Sequence, residues 1–338
     1  MSKPPLVTVL MSVYNSAPFL RASIESVLGQ TFRDFEFLII DDCSTDSSLE
    51  IIQSYADPRI RVVRNEKNLA LIRSLNKGLQ LAQGTYIARH DSDDLSLPLR
   101  LDKEVRFLES NGGVGLVGSY FIAINEAGEF LQYFRPPTDS DALKRKLLIK
   151  NPFAHGTVMF RKECIEKTGF YREELKHAED YDLWLRISQF FDLANLPLYL
   201  YQWRLNVGSV SVENKHVQDR NVQLALALHR ERLAGAQDQI QKGGFDVKRW
   251  AGSRSNEGDH SNENRNIVQA YHFQGSSFLL NNHHKSAWGY YLKALKIDVL
   301  NIKTWFLLFV TLVKSVMPNF LFRFVLRVFS HLQPRVNF

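Results

Sequence analysis

Three carboxylates, Asp91, Asp93 and Asp94, stand in "YIARHDSDDLSLPLR" (86–100), directly after an apolar run. Mutual repulsion and desolvation both oppose such crowding, so something positive is expected beside them. A plainer alternative is a solvated loop whose Asp and Ser residues cap the next helix, with Ser96 ahead of Pro98. That accounts for one acid or serine, and not for three acids in four positions. A second acidic pair, Glu179 and Asp180, opens "HAEDYDLWLRISQFF" (177–191), where Leu183, Trp184, Ile187 and Phe191 form a helical stripe. Acids in a first turn meet the helix dipole favourably, so taken alone this pair reads as a cap.

The elements that must position these acids alternate regularly. Strands are expected at 6–13, 35–40, 59–63 and 85–89, and helices at 17–30, 47–56 and 71–84, with Ser16 capping the first. This order predicts an α/β fold, a mostly parallel sheet with right-handed crossovers and helices on both faces. Ligands of such sheets bind beyond the carboxyl ends of the strands. The polar clusters "YNS", "DDCSTDSS", "NEKN" and "HDSDD" fall at those four ends, collecting Tyr14, Asn15, Asp41, Asp42, Asp46, Asn68, Asp91, Asp93 and Asp94 on one edge. One such cluster is turn chemistry; four on one edge make a site. Gly113-x-Gly115-x-x-Gly118 matches a dinucleotide fingerprint by letters only, since it follows a helix and leads into a strand. "NEAG" between two apolar runs reads as a hairpin, so the middle section should be mixed or antiparallel, and "GTVMFRK" (156–162) reads as a further strand.

With 338 residues, 45% apolar and 23% charged, the chain has the composition of an ordinary globular protein. Cys43 and Cys164 cannot form a disulfide framework, which points to a reducing interior, and "MSKPPLVTVLMSVY" carries no signal peptide. Of the net charge of +6, the segment 301–338 supplies Lys303, Lys314, Arg323, Arg327 and Arg335 with no acid. The remainder is close to neutral, which argues against a nucleic-acid-binding face. The expected organisation is one α/β domain over 1–235, a polar linker over 236–266, a helical hairpin of tetratricopeptide type over 267–300, and a basic apolar tail over 301–338. Gly275, Ala287, Tyr291 and Ala294 carry the hairpin reading. In the tail, "TWFLLFVTLV" (304–313) and "NFLFRFVLRVF" (319–329) are too short to span a bilayer and read as helices lying on an anionic leaflet. The alternative is that they pack on the hairpin or on a second subunit of a homo-oligomer.

From about Val7 to Ser211 the chain resembles the family 2 glycosyltransferases of GT-A (Rossmann-like) fold. The resemblance lies in "MSVYNSAPFLRASIESVLGQTF", "DDCSTDSS", "NKGLQLAQGTYIARHDSDD", "HGTVMFRK" and "AEDYDLWLRIS", in that order. It is nearest to bacterial members that build surface polysaccharides such as capsule and lipopolysaccharide. The resemblance implies that Asp91-Ser92-Asp93 holds Mg²⁺ or Mn²⁺ against the diphosphate of a nucleotide-sugar, Asp93 directly and Asp91 through water or sugar hydroxyls. It implies that Asp42 accepts the base N–H of a uridine-type nucleotide, that Tyr14 packs near the base, and that Ser12, Arg73 and Asn76 line the donor pocket. Asp180 is the implied catalytic base, deprotonating a hydroxyl of a glycan or lipid-linked acceptor in an inverting displacement. The implied location is cytoplasmic, on the inner face of the plasma membrane. The family's "YR-x-H" pattern is replaced by "QWRLNVGS", with Asn206 near the histidine's place, so no terminal metal-binding His is expected. A nucleotidyltransferase would need an early Gly-rich loop with a basic residue, and "YNSAPF" has neither. A non-catalytic nucleotide-binding scaffold would have no need of acids at 42, 93 and 180 together.

Overall fold

The first strands are rich in apolar residues that alternate between two cores, because helices cover both faces of the sheet. The computed structural model describes residues 3–205, 215–243, 245, 260–281 and 283–316. In β1 (Val7–Val13), Val7, Val9, Met11 and Val13 share one core with Leu20, Ile24 and Val27 of α1 (Ala17–Leu28). Phe37 and Ile39 of β2 (Phe35–Asp41) and Ile52 of α2 (Ser48–Gln53) join them. The intervening Leu10 belongs to the opposite core. There it meets β3's (Ile60–Arg64) Val63 and the Ile72, Leu75 and Leu79 stripe of α3 (Leu71–Leu81). A helix of that stripe presents every third or fourth residue to the sheet.

β4 (Tyr86–Asp91) completes the expected parallel half, in which the strand order is β3–β2–β1–β4. The chain then forms β5 (Leu95–Ser96), α4 (Arg100–Ser110) and the hairpin of β6 (Val114–Ile124) and β7 (Phe130–Phe134). Gly128, at φ 82°, turns that hairpin at the expected "NEAG". α5 (Ser140–Leu147) follows, capped by the Asp139 carboxylate, and then β8 (Met159–Arg161), α6 (Lys162–Thr168), α7 (Glu179–Ile187) and β9 (Asp192–Arg204). The expected strand at 156–162 is therefore cut to three residues. A single tight turn, His155–Thr157, occupies its start, and Lys162 already begins a helix. Beyond β4 the order is β8–β6–β9–β5, with β4–β8, β8–β6 and β9–β5 antiparallel and β6–β9 parallel.

The chain divides into two compact units, residues 1–205 with 216–256, and 206–215 with 257–338. α8 (Lys215–Leu233) lies within the first unit, where Leu224, Ala225 and Leu228 join the core that holds Trp184. The expected linker boundaries shift at both ends. Asp238 is buried and ion-paired to Arg172 and Arg232, so the chain is anchored to the first unit well past 235. At the other end helix α9 (His260–Leu280) starts inside the expected linker. In the second unit α9 packs on α10 (His284–Ile297), and α11 (Ile302–Val316) packs on both. Ala287, Tyr291 and Ala294 are fully buried, and a Cβ on Gly275 would stand 2.5 Å from the Tyr291 ring, so glycine at 275 leaves room for that ring. Residues 317–338, including "NFLFRFVLRVF", lie outside the described residues, as does Asn206.

Candidate active site

Four non-glycine residues among those described have positive φ: Asn15 (51°), Cys43 (63°), Ala70 (67°) and His177 (67°). They follow β1, follow β2, precede α3 and precede α7, which places all four in loops beside the expected site. Such left-handed backbone persists only where its surroundings hold it. At Asn15 the restraint is visible, since Oδ1 accepts from the Thr45 and Asp46 backbone N–H groups at 2.8 and 3.3 Å. Asp42, buried, donates its own N–H to Val13 O, and its Oδ1 accepts from Asn65 Nδ2 (2.7 Å) and the Leu69 N–H (2.8 Å). Those bonds tie the loops after β1, β2 and β3 into one edge. Tyr14, 48% exposed, stands out from that edge. Ser12 lies in register between Ile40 of β2 and Asp91 of β4.

The three crowded acids separate into distinct environments. Asp94 is buried; its Oδ1 accepts the Arg204 N–H at 2.6 Å, and desolvation beside Asp93 and Asp91 holds its ionisation well above the carboxylate range. It therefore locks the turn to β9. Arg204 completes that lock by donating to the carbonyls of Asp93, Asn125 and Glu126 while lying over the Phe19 ring. Asp91 is gripped from beneath, where the buried Arg89 donates Nη2 to its Oδ1 at 2.6 Å and its own N–H donates to Tyr201 Oη. The expected positive partner is thus in part a built-in arginine. Asp93 is raised to about 6 by desolvation and by the Asp91 charge. Ser92 Oγ lies 2.7 Å from Ser16 Oγ, joining the turn to the loop after β1. Ser16 spends its hydroxyl there and on Tyr14 O and does not cap α1; the Asp46 carboxylate accepts the Ala17 N–H instead, at 3.1 Å. Nor does Ser96 cap: it is buried in β5, bonded to His90 and Arg100.

Glu179 and Asp180 begin α7. Asp180 Oδ1 accepts the Tyr181 N–H at 2.7 Å, a local capping bond, while Oδ2 accepts Asn151 Nδ2 at 2.8 Å. Desolvation and the nearby Asp91 charge raise Asp180 to about 6. Glu179 rises further through burial and the Asp180 charge, and its Oε2 has no partner. The Asp91 turn and the Glu179–Asp180 pair, far apart in sequence, thus lie in one electrostatic field. Tyr171 feels Asp91, Glu179 and Asp180 together, and its hydroxyl meets His155 Nε2 at 2.9 Å. Burial beside Arg89 keeps His155 neutral.

The two residues expected on α3 are placed differently. Arg73 pairs with Glu173 at 2.8 Å in an exposed position. Asn76 spends its amide on the Tyr171 backbone, donating to O at 2.9 Å and accepting from N–H at 3.0 Å, so it ties α3 to the Tyr171 segment. Sequence reasoning missed Arg89, Asn151, Gly156 and Tyr201. Gly156 had a readable signal in "HGTVMFRK", for a Cβ there would fall 2.0 Å from Tyr201 Oη and 2.8 Å from Asp91 Oδ2. Of the thiols, Cys43 is partly exposed beside Asp42, and Cys164 is buried and pushed up to about 12 by desolvation.

A divalent cation fits this donor set. Among the described residues no three His, Cys, Asp or Glu side chains form a cage on their own. Asp91 and Asp93 offer two carboxylates in mutual repulsion, the number from protein that Mg²⁺ or Mn²⁺ takes when phosphate oxygens and water complete its shell.

The family model described as "Glycosyl transferase family 2" matches residues 8–169. The chain is 38% identical to the putative glycosyltransferase EpsE of Bacillus subtilis over 60% of its own length and 74% of EpsE. It is 34% identical to the amylovoran biosynthesis glycosyltransferase AmsE of Erwinia amylovora, over 68% of its length and 86% of AmsE. Among solved structures it is similar to residues 1–349 of S. aureus TarS in complex with UDP-GlcNAc, with a TM-score of 0.55 at 18% identity, covering 84% of this chain and 89% of that one. It is also similar to the mannosyltransferase PcManGT from Pyrobaculum calidifontis in complex with GDP-Man and Mn²⁺, with a TM-score of 0.51 at 16% identity, covering 93% and 86%. At those identities the likeness is one of fold, a GT-A sheet with a C-terminal helical region.

Proposed function

This chain belongs to the glycosyl transferase family 2, and from that premise we propose an inverting transfer of sugar from a uridine-type nucleoside diphosphate sugar to a hydroxyl of a glycan or lipid-linked acceptor. The product is a cell-surface polysaccharide, a reading supported by the likeness to glycosyltransferases of amylovoran and O-antigen biosynthesis, and the work is done on the cytoplasmic side of the membrane. The observation that carries the reading is the convergence of two acidic clusters, Asp91 with Asp93 and Glu179 with Asp180, at the carboxyl edge of the parallel strands.

In this proposal Asp42, its Oδ1 already holding the loop, accepts the base N–H at Oδ2, and Tyr14 covers the base. Ser12 lies beneath the donor, and Arg73 is at the margin of the pocket. Asp93 and Asp91 hold the divalent cation, which when bound supplies positive charge against the departing diphosphate. Arg89 keeps the Asp91 carboxylate in place. Asp180 takes the acceptor's proton at the oxygen that attacks the anomeric carbon. Asn151 orients the Asp180 carboxylate, and single displacement inverts the anomeric configuration.

A screen of nucleotide-sugars for release of nucleoside diphosphate, with Mg²⁺ or Mn²⁺ and with chelator, tests the proposal. The expected result is metal-dependent release from a uridine donor, abolished by Asp93→Ala with the circular dichroism spectrum retained. Asp42→Ala should mainly weaken donor binding, because it meets the base and not the reacting centre. Full turnover of Asp93→Ala, or of the wild type in excess chelator, would refute the metal assignment.

A further inference from the structure

Helix α11 is packed the wrong way round for a water-soluble surface. Its inward face, against α9 and α10, consists of Thr304, Leu307, Leu308, Thr311 and Lys314. Three of those five are polar, and each needs a partner once buried. Thr304 Oγ1 bonds His272 Nε2 and Asn301 Oδ1, Thr311 Oγ1 donates to Leu307 O, and Lys314 Nζ donates to Leu279 O. The outward face consists of Ile302, Trp305, Phe306, Phe309 and Leu312, spaced three or four residues apart and so aligned in one stripe. Ile302 is 83% exposed and Phe309 62%; the preceding Val299 and Leu300 extend the stripe at 62% and 84%. Trp305 satisfies its indole N–H on Val299 O and leaves its ring outside. A helix that buries threonine and lysine while exposing tryptophan and phenylalanine calls for an apolar medium or partner on its outer side.

Charge decides which. Besides the inward Lys314, residues 284–316 carry the exposed Lys285, Lys293, Lys296 and Lys303 against one acid, Asp298, and residues 317–338 add Arg323, Arg327 and Arg335 with no acid. Two copies meeting through such a face would bring like charges together. An anionic lipid surface complements it, drawing the lysines to headgroups while the aromatic stripe enters the acyl boundary. No helix among the described residues is long and apolar enough to cross a membrane. We propose that the outer face of α11, with Val299 and Leu300, lies in the headgroup region of an anionic bilayer. This stands apart from the donor chemistry, because neither the stripe nor its lysines belong to the catalytic reading.

The test uses the full chain and vesicles of phosphatidylcholine, alone or with about one quarter phosphatidylglycerol. The wild type should sediment with the anionic vesicles in low salt, much less with neutral ones, and its fluorescence should be quenched by brominated lipid. Ile302→Ser with Phe309→Ser should bind at least about tenfold more weakly. Both positions face outward, so the variant should keep the wild-type circular dichroism spectrum. Trp305→Phe should bind normally and lose most of the lipid-dependent quenching, an arm that requires no destabilising change. Absence of wild-type binding to anionic vesicles overturns the proposal, as does equal binding by the double variant. A dimer that the double variant dissociates, with no vesicle binding by either protein, assigns the face to a second copy instead. None of these readouts involves turnover, so failure of the sugar-transfer reading would leave them unchanged.

Discussion

Asp180 can accept a proton only while ionised, and desolvation with the nearby Asp91 charge raises its ionisation to about 6. As the proposed base, Asp180 is competent above that pH and is lost as pH falls through it. The acidic limb of kcat/KM should therefore lie near pH 6 and not near the ordinary carboxylate value of about 4. Asn151 donates to Asp180 Oδ2 and so favours the charged form. Asn151→Ala should move the limb upward by about half to one pH unit, since one hydrogen bond of about 1 kcal/mol is at stake and a full unit is about 1.4. A limb that stays in place would remove Asn151 from the proposal. Asp180→Asn keeps the shape and the capping contact while discarding the basic oxygen. It should cost roughly 10²–10⁴ in kcat with nucleotide affinity kept. Near-normal turnover would restore the view that this acid only caps its helix.

The parallel half of the sheet was legible at the scale of elements because β1, β2 and β4 are short, mainly apolar runs with helical stripes between them. Its continuation was legible only as a hairpin at "NEAG" that makes the middle section mixed or antiparallel; which strands pair there was not. β5 is two residues long, and β6 pairs in parallel with a strand that begins at Asp192, contacts that leave no local pattern to read. For the same reason the role of Asp94 was hidden: its partners, Arg204 and Tyr201, come from β9. The acids themselves were found by crowding, which is a local signal; Asn151 meets a partner that only the fold brings close, and Arg89, though two residues from Asp91, read only as the end of a strand. The turn carrying the acids rests on β9 and on the His155–Thr157 turn. Gly156→Ala should drive Tyr201 and the Asp91 carboxylate apart, at about 1–3 kcal/mol of overpacking. Chemical denaturation should show the lower midpoint, and Mn²⁺ titration a weaker site. A variant with unchanged midpoint and unchanged Mn²⁺ affinity would show that the contact has slack.

The molecule as a whole comprises two units; both cores that flank the sheet belong to the first, and so do all the residues of the proposed donor site. If calorimetry resolves two transitions, uridine diphosphate with Mn²⁺ should move one and leave the other. At one hundred times its dissociation constant a ligand adds about 2.7 kcal/mol, or roughly 5–10 °C for a unit of this size. Equal displacement of both transitions would mean that the units unfold together. The two thiols provide an independent gauge. Cys164 is sealed in the core, while Cys43 stands half open with strained backbone beside Asp42. A maleimide should therefore count one sulfur in the native protein and two after denaturation, and nucleotide should slow the first count, so that a single colourimetric titration reports both occupancy and integrity in every preparation.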